Sequence, residues 1–202
     1  AVRFSPGETG RLEVAWRTGL PEGRLGVPVV LSNDRGQVHV HSRDGSLHAY
    51  STADGAPLWS TPVGYRPDTP PAVLPDGTLV SGGRTTTVWR GVDDDHSADA
   101  GPAPVVAVRP EDGRGREVWR RDDLRQLTNP AATEDGRVVV AVRSGGTDDE
   151  PGIAVHLLDG EDGGTVHEFD VPAARGPVSG LSVDDEGRIA LTTAVGAVYL
   201  LG

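Results

Sequence analysis

Four turns of one kind, a third β-type run after each of them, and an aromatic residue closing the run after that predict an all-β chain. The predicted architecture is a β-propeller of four blades, with four antiparallel strands in each. The turns are Asn33-Asp34-Arg35-Gly36, Pro75-Asp76-Gly77, Glu134-Asp135-Gly136 and Asp185-Glu186-Gly187. Asp and Gly tolerate the backbone geometry that tight hairpins require.

The first turn joins the runs 27–31 and 37–42, the second 71–74 and 78–81. The third joins 130–133 and 137–142, the fourth 178–183 and 188–193. Third strands are expected at 47–50, 105–108, 153–158 and 197–201. Fourth strands run from a glycine to an aromatic residue: Gly55 to Trp59, Gly113 to Trp119 and Gly163 to Phe169. The last repeat has no such run after it, but one stands near the start of the chain, from Gly10 to Trp16. A four-stranded sheet with two apolar faces cannot bury both by itself, and stacking blade on blade in a ring does so. The expected segments are 20–64, 65–122, 123–172 and 173–202 plus 10–18, forming one domain closed by the N-terminal strand. One detail disturbs this closure. Ala1-Val2-Arg3-Phe4 resembles Ala197-Val198-Tyr199-Leu200, so the third strand of the split blade is present twice. Either one copy is displaced or the chain is a segment of a larger ring.

Composition excludes several chemistries. The 202 residues include 28 Gly and 16 Pro, which suits short strands and tight turns. No cysteine is present, which rules out disulfides, thiolate metal sites and Cys nucleophiles. The formal net charge of -11 argues against a nucleic-acid partner. All 19 basic residues are Arg, so neither a Schiff-base Lys nor a phosphate-loop Lys exists. No apolar run is long enough for a membrane span. No leader peptide is recognisable, so the expectation is a cytosolic chain or one trimmed from a longer protein.

The run Ala49-Tyr50-Ser51-Thr52-Ala53-Asp54-Gly55-Ala56-Pro57-Leu58-Trp59 resembles the tryptophan-docking motif of PQQ-like, quinoprotein-type propeller repeats. Ala107, Gly113 and Trp119 match it with a two-residue insertion, and Leu157, Asp159 and Gly163 match with Phe169 in the Trp position. The resemblance implies that Trp16, Trp59, Trp119 and Phe169 dock between adjacent blades. It does not extend to the quinoprotein dehydrogenases, whose rings are larger and whose quinone and calcium residues have no counterpart here. It is to non-catalytic members: outer-membrane assembly scaffolds, and sensor domains of actinobacterial Ser/Thr receptor kinases. An extracytoplasmic location follows from the same analogy.

Three constellations are candidates for chemistry. Two long loops, 84–99 and 145–152, are expected on the face that carries the connections between blades, and long loops often carry function. Trp89 in the first of them lies outside the docking register and is a ligand-contact candidate; the plain alternative is a solvated insertion. Asp93, Asp95, His96 and Asp99, with Asp94 between them, offer oxygen and nitrogen donors to Ca²⁺, although the spacing is not that of an EF-hand. The plain alternative is an acidic solvated face, so the expected cofactor is none, or Ca²⁺. Arg24, Arg66, Arg125 and Arg175 stand one per connection between blades and are candidates to ring a channel mouth and hold an anion. His39 and His41 share one face of their strand, and His48 and His156 occupy equivalent positions, which favours blade packing over metal binding. No nucleophile motif of the Gly-x-Ser-x-Gly type occurs. The expected function is therefore a non-catalytic module that binds a small molecule or a protein. The rival is a small hydrolase, lyase or isomerase with its site at the same mouth.

Overall fold

The computed structural model describes residues 2–3, 13–20, 29–34, 36–42, 44–65, 69–82, 104–124, 128–146, 151–171, 174, 178–193 and 195–202. Every regular element among them is a β-strand. The strands form four successive antiparallel sheets, the blades of a four-bladed propeller.

Blade 1 holds β3 (Val30–Leu31), β4 (Gln37–His41), β5 (Ser46–Ser51) and β6 (Pro57–Pro62). Blade 2 holds β7 (Ala72–Val73), β8 (Leu79–Ser81), β9 (Val105–Glu111) and β10 (Arg114–Arg121). Blade 3 holds β11 (Ala131–Ala132), β12 (Arg137–Gly146), β13 (Pro151–Asp159) and β14 (Thr165–Asp170). Blade 4 has β15 (Val178–Val183), β16 (Ile189–Thr193) and β17 (Val198–Leu201). Within each sheet the strands pair in chain order.

The turn chemistry accounts for the hairpins. Gly77, Gly136 and Gly187 adopt φ of 84°, 83° and 80°, which L-residues avoid. The preceding carboxylates accept backbone N–H groups within the turns, as Asp76 does from Thr78 at 2.9 Å and Asp34 does from Gly36 at 2.9 Å.

Strand alternation divides the blades' side chains between two neighbours. Val138, Val140 and Val142 face blade 2, where they join Val80, Val105 and Ala107. Val139 and Ala141 point the other way and pack with Leu181 and Leu191 of blade 4. Between blades 1 and 2, Leu47, Ala49 and Val63 meet Leu79, Val106 and Val108. The core is thus a series of slabs between blades, in which valine is the commonest side chain. β-Branched side chains suit it, because they pack well on a pleated surface with few rotamers to lose.

The seam at the chain's start differs from the expected closure. The N-terminal strand β2 (Glu13–Val14) pairs with β1 (Val2–Arg3), with Val2 opposite Val14 and Arg3 opposite Glu13. No ladder joins β2 to β17 among the described residues, so the fourth blade has three strands there. The physical reason lies in the duplicated third-strand sequence. Val2–Arg3 is the copy nearer in chain to β2, so closing that pair fixes a far shorter loop than closing β2 on β17 would.

Candidate functional site

Three tryptophans sit at blade boundaries, each over a glycine of the following blade. The Trp119 indole Nε1 donates to the Gly160 carbonyl at 2.9 Å. A Cβ on Gly163 would lie 2.6 Å from Trp119 Cε3, so only glycine leaves room for the ring. Trp16 repeats this arrangement on blade 1: Nε1 donates to the Thr52 carbonyl at 2.8 Å, and a Cβ on Gly55 would meet the ring at 2.5 Å. Trp59 lies over Gly115 of blade 2, while its Nε1 donates to Gln37 Oε1 at 3.2 Å within its own blade. Thr61 Oγ1 supplies a bond across that boundary, donating to the Gly115 carbonyl at 2.5 Å.

Phe169 is the exception, and its docking role is corrected by the ladder register. Trp59 stands opposite Ala49, and Trp119 opposite Ala107, each beside a register shift. In blade 3 the same place, opposite Leu157 and beside the same shift, belongs to His167. Phe169 pairs two residues further on with Val155. It is 49% exposed and leans against the His167 ring at 5.9 Å. Counting four residues from Gly163, as from Gly55 to Trp59, would have found His167; the aromatic at 169 drew attention away from it.

A polar seam runs through the boundary of blades 1 and 2. His39 and His41 do share a face, and both are buried. The His39 ring lies against Trp59 at 5.6 Å. His41 Nδ1 is 3.2 Å from the Thr69 carbonyl, and Nε2 is 2.9 Å from Ser81 Oγ. A carbonyl can only accept, so Nδ1 carries the proton and Nε2 accepts from Ser81. Ser81 Oγ is in turn 2.7 Å from the Tyr65 hydroxyl. Burial pushes both imidazoles down to about 4. His48 Nε2 bonds Ser42 Oγ at 3.1 Å, and His156 Nε2 lies 3.6 Å from Glu168. Among the described residues no three His, Asp or Glu side chains converge as a cation site.

Two arginines and two asparagines clip neighbouring blades in a way the sequence did not reveal. Arg121 Nη1 donates to the Gly163 carbonyl at 2.7 Å while its other face holds Asp123, and this ion pair keeps the Asp123 carboxyl below its ordinary range. Arg120 reaches back to the Val63 carbonyl at 3.1 Å. Asn33 donates to the Leu74 carbonyl at 2.6 Å, and Asn129 to the Leu181 carbonyl at 3.1 Å. The available signal was positional: the two Arg directly follow a docking Trp.

The surface offers two kinds of feature. A shallow depression of about 480 Å³ lies at the β9–β10 turn, lined by Glu111, Asp112, Arg114, Gly115 and Arg116, and the Arg116–Glu111 ion pair at 2.8 Å spans it. The hairpin β12–β13 is longer than the equivalent hairpins of blades 1 and 4. Its ladder continues to Gly146 opposite Pro151, beyond Ala154, where pairing with β14 ends. The equivalent connections of blades 1 and 4 are tight turns at Gly45 and Gly196, with φ of 83° and 86°. Arg24, Arg66, Arg125, Arg175, Trp89, Asp93, Asp95, His96 and Asp99 lie outside the described residues, as do 84–99 entire and 147–150.

Fold and boundary chemistry together define a propeller built from tryptophan-docked, PQQ-like repeats. The chain belongs to the family described as outer membrane protein assembly factor BamB, whose model matches residues 7–114. It is 33% identical over 177 residues to Protein Rv3035 of Mycobacterium tuberculosis, covering 88% of this chain and 39% of that one. The chain therefore spans about two fifths of that relative. Among solved structures, BamB from Moraxella catarrhalis matches with a TM-score of 0.57 at 16% identity, over 96% of this chain and 54% of that one. The computationally designed Ika4 protein matches with a TM-score of 0.62 at 16% identity, over 94% and 97%. The C-terminal WD40 domain of Sif2 matches with a TM-score of 0.60 at 10% identity, over 86% and 44%. These structural likenesses concern the fold.

Proposed function

We propose that this propeller is a protein-binding module, with its binding face on the side from which β12–β13 projects. The projecting ribbon is the observation that carries the reading. Residues 143–146 and 151–152 extend beyond the outer strand β14, whose next residue, Val171, still donates to the Ile153 carbonyl, and β11 pairs only at Val138 and Val139, far from the tip. A two-stranded ribbon of this kind offers backbone edges to which an extended partner segment can add as a strand. Ser144 and Gly145 at its described end are exposed, and small side chains there leave the backbone accessible. Membership in a family named for outer-membrane protein assembly supports a protein as partner, and an extracytoplasmic setting. The role would be that of a sensor or assembly domain within a larger or exported protein.

A photoreactive residue placed at Ser144 tests this in cells of the source organism. The control position is Asp162, in the β13–β14 turn at the other end of the blade. The expected result is a discrete protein adduct from position 144 and none from 162. A second variant replaces residues 144–151 with a two-residue Asp-Gly turn. It should keep the melting temperature within a few degrees and abolish recovery of that adduct's partner. Equal adducts from both positions, or undiminished recovery with the shortened hairpin, would overturn the reading.

A further inference from the structure

We infer that the turn between β9 and β10 is a site of spontaneous backbone modification, in which Asp112 and Gly113 cyclise to a succinimide and reopen as isoaspartate. The chain contains seven Asp–Gly steps, at Asp44, Asp54, Asp76, Asp112, Asp135, Asp159 and Asp162. Each has the chemistry for this reaction, because a glycine carries no Cβ to hinder attack by its own nitrogen. The reaction also needs a free carboxyl group, a free amide N–H and room for the two to meet.

The fold denies these to six of the seven steps. The N–H groups of Gly45, Gly55, Gly77, Gly136 and Gly163 donate to the carbonyls of Ser42, Ser51, Leu74, Thr133 and Asp159 at 2.9–3.2 Å. The carboxylates of those steps are held as well. Asp44 accepts from the Ser46 N–H, Asp54 from Ala56, Asp76 from Thr78 and Asp162 from Gly164, while Asp135 accepts from the Thr133 hydroxyl. Asp159 accepts from the Glu161 N–H at 2.8 Å. Its Gly160 is buried, and a Cβ there would lie 2.0 Å from the Gly136 carbonyl oxygen.

Asp112–Gly113 is the exception. Both residues are exposed, and a Cβ on Gly113 would meet nothing within 4 Å. Among the described residues nothing donates to the Asp112 carboxylate, and the Gly113 N–H has no acceptor. The turn is two residues long, with φ of 49° at Asp112 and 72° at Gly113, and the pairing of Glu111 with Arg114 closes it. Asp112 is the one non-glycine residue with positive φ among the described residues. That conformation is costly for an L-residue and easy for its mirror image. A succinimide loses its α-proton readily, so the reopened ring also delivers D-residues, which fit this turn.

Water alone balances the reaction. The Gly113 nitrogen bonds to Asp112 Cγ, and the carboxyl hydroxyl leaves as water with the amide proton. One water then opens the ring. Addition at the main-chain carbonyl carbon of Asp112 yields isoaspartate, and addition at Cγ restores aspartate. The isoaspartyl link lengthens the main chain by one carbon just before Gly115. That glycine takes the Thr61 bond and underlies the Trp59 ring, so modification loosens the boundary of blades 1 and 2.

Incubating the native chain in heavy-oxygen water, followed by peptide mapping, tests the inference, because each passage through the ring leaves one heavy oxygen. Label and isoaspartate should accumulate at Asp112 roughly tenfold faster than at any of the other six sites, the factor that about 1.4 kcal/mol of turn hydrogen bonding confers. In urea the seven sites should label at similar rates. A second comparison uses asparagine, which tolerates positive φ. D112N should keep its melting temperature and lose ammonia through the same ring. D54N, whose amide oxygen can still accept from the Ala56 N–H, should lose ammonia roughly tenfold more slowly. Even labelling of the seven native sites, an unlabelled Asp112, or equal ammonia loss from the two variants would overturn the inference. An excess at Asp112 that persists in urea would place the cause in the flanking sequence and overturn it as well. None of these readings depends on the ribbon of β12–β13.

Discussion

Replacing Trp119 with alanine is expected to destabilise the propeller by about 3–5 kcal/mol, the range for deleting a large buried aromatic side chain. For a chain of this size that lowers the melting temperature by roughly 6–20 °C. The side chain is 7% exposed and fills the slab between blades 2 and 3, against Val105, Val138 and Leu158 among others. The change also removes the donor to the buried Gly160 carbonyl. Trp119→Phe separates these contributions. It keeps most of the apolar volume and loses the hydrogen bond, at a net cost of about 1–2 kcal/mol. Phe169→Ala is the comparison within blade 3. Its ring is half exposed and outside the docking register, so its loss should cost about 1 kcal/mol or less. Urea denaturation of the three variants checks the order. Equal losses for Trp119→Ala and Phe169→Ala would show that the two rings contribute alike and that Trp119 is not the docked one.

Acid should weaken the boundary between blades 1 and 2 well before the carboxylates titrate. His39 and His41 are neutral in the fold, with pKa values near 4 against an ordinary 6.5. In the unfolded chain they take up protons as pH falls below 6.5, and in the folded chain they do not until about pH 4. The unfolded state binds more protons in that window, so stability rises with pH there. Their contribution is fully present above about pH 6.5 and is lost as pH falls to 4. A shift of this size corresponds to about 3 kcal/mol for each buried imidazole. The surroundings partly oppose one another. Asp34 favours the charged form of His39, the Thr69 carbonyl favours that of His41, and His48 disfavours it; burial outweighs all three in direction. Asp34 and Asp44 sit below the ordinary carboxylate range, through hydrogen bonds from Ser32 and Ser42 respectively, so their losses come at lower pH. Urea midpoints between pH 7 and pH 4 measure the slope. His39→Leu should remove about half of it, because the neutral side chain no longer binds a proton on unfolding. A wild-type midpoint that stays flat over this interval would show that the two rings are not held neutral.

The repeat was legible because each blade repeats the same local solution. Gly77, Gly136 and Gly187 answer a backbone requirement that acts within four residues, and their strands follow from alternation on either side. Trp16, Trp59 and Trp119 were legible for a related reason: each closes a run that begins at a glycine four or six residues earlier, at Gly10, Gly55 and Gly113. Phe169 was misread because a register shift beside the docking position, opposite Leu157, is set by the pairing of two strands and leaves no mark on one of them. The inter-blade bonds of Arg120, Arg121, Asn33 and Asn129 were invisible for the same reason. Their acceptors are backbone carbonyls, which every residue carries, between 41 and 57 residues away for Arg120, Arg121 and Asn33 and 52 for Asn129.

By itself, then, the sequence determined the all-β class, the four repeats, the turn residues and the three docking tryptophans, since turn geometry and two-residue alternation are local. Only the tertiary structure decided which strand pairs with β2 and that His39 and His41 are buried at a boundary. Each of these depends on which of several similar strands comes to lie alongside another. In a repeat chain the local pattern is the same for every candidate, and the free energy of closing one loop rather than another makes the choice.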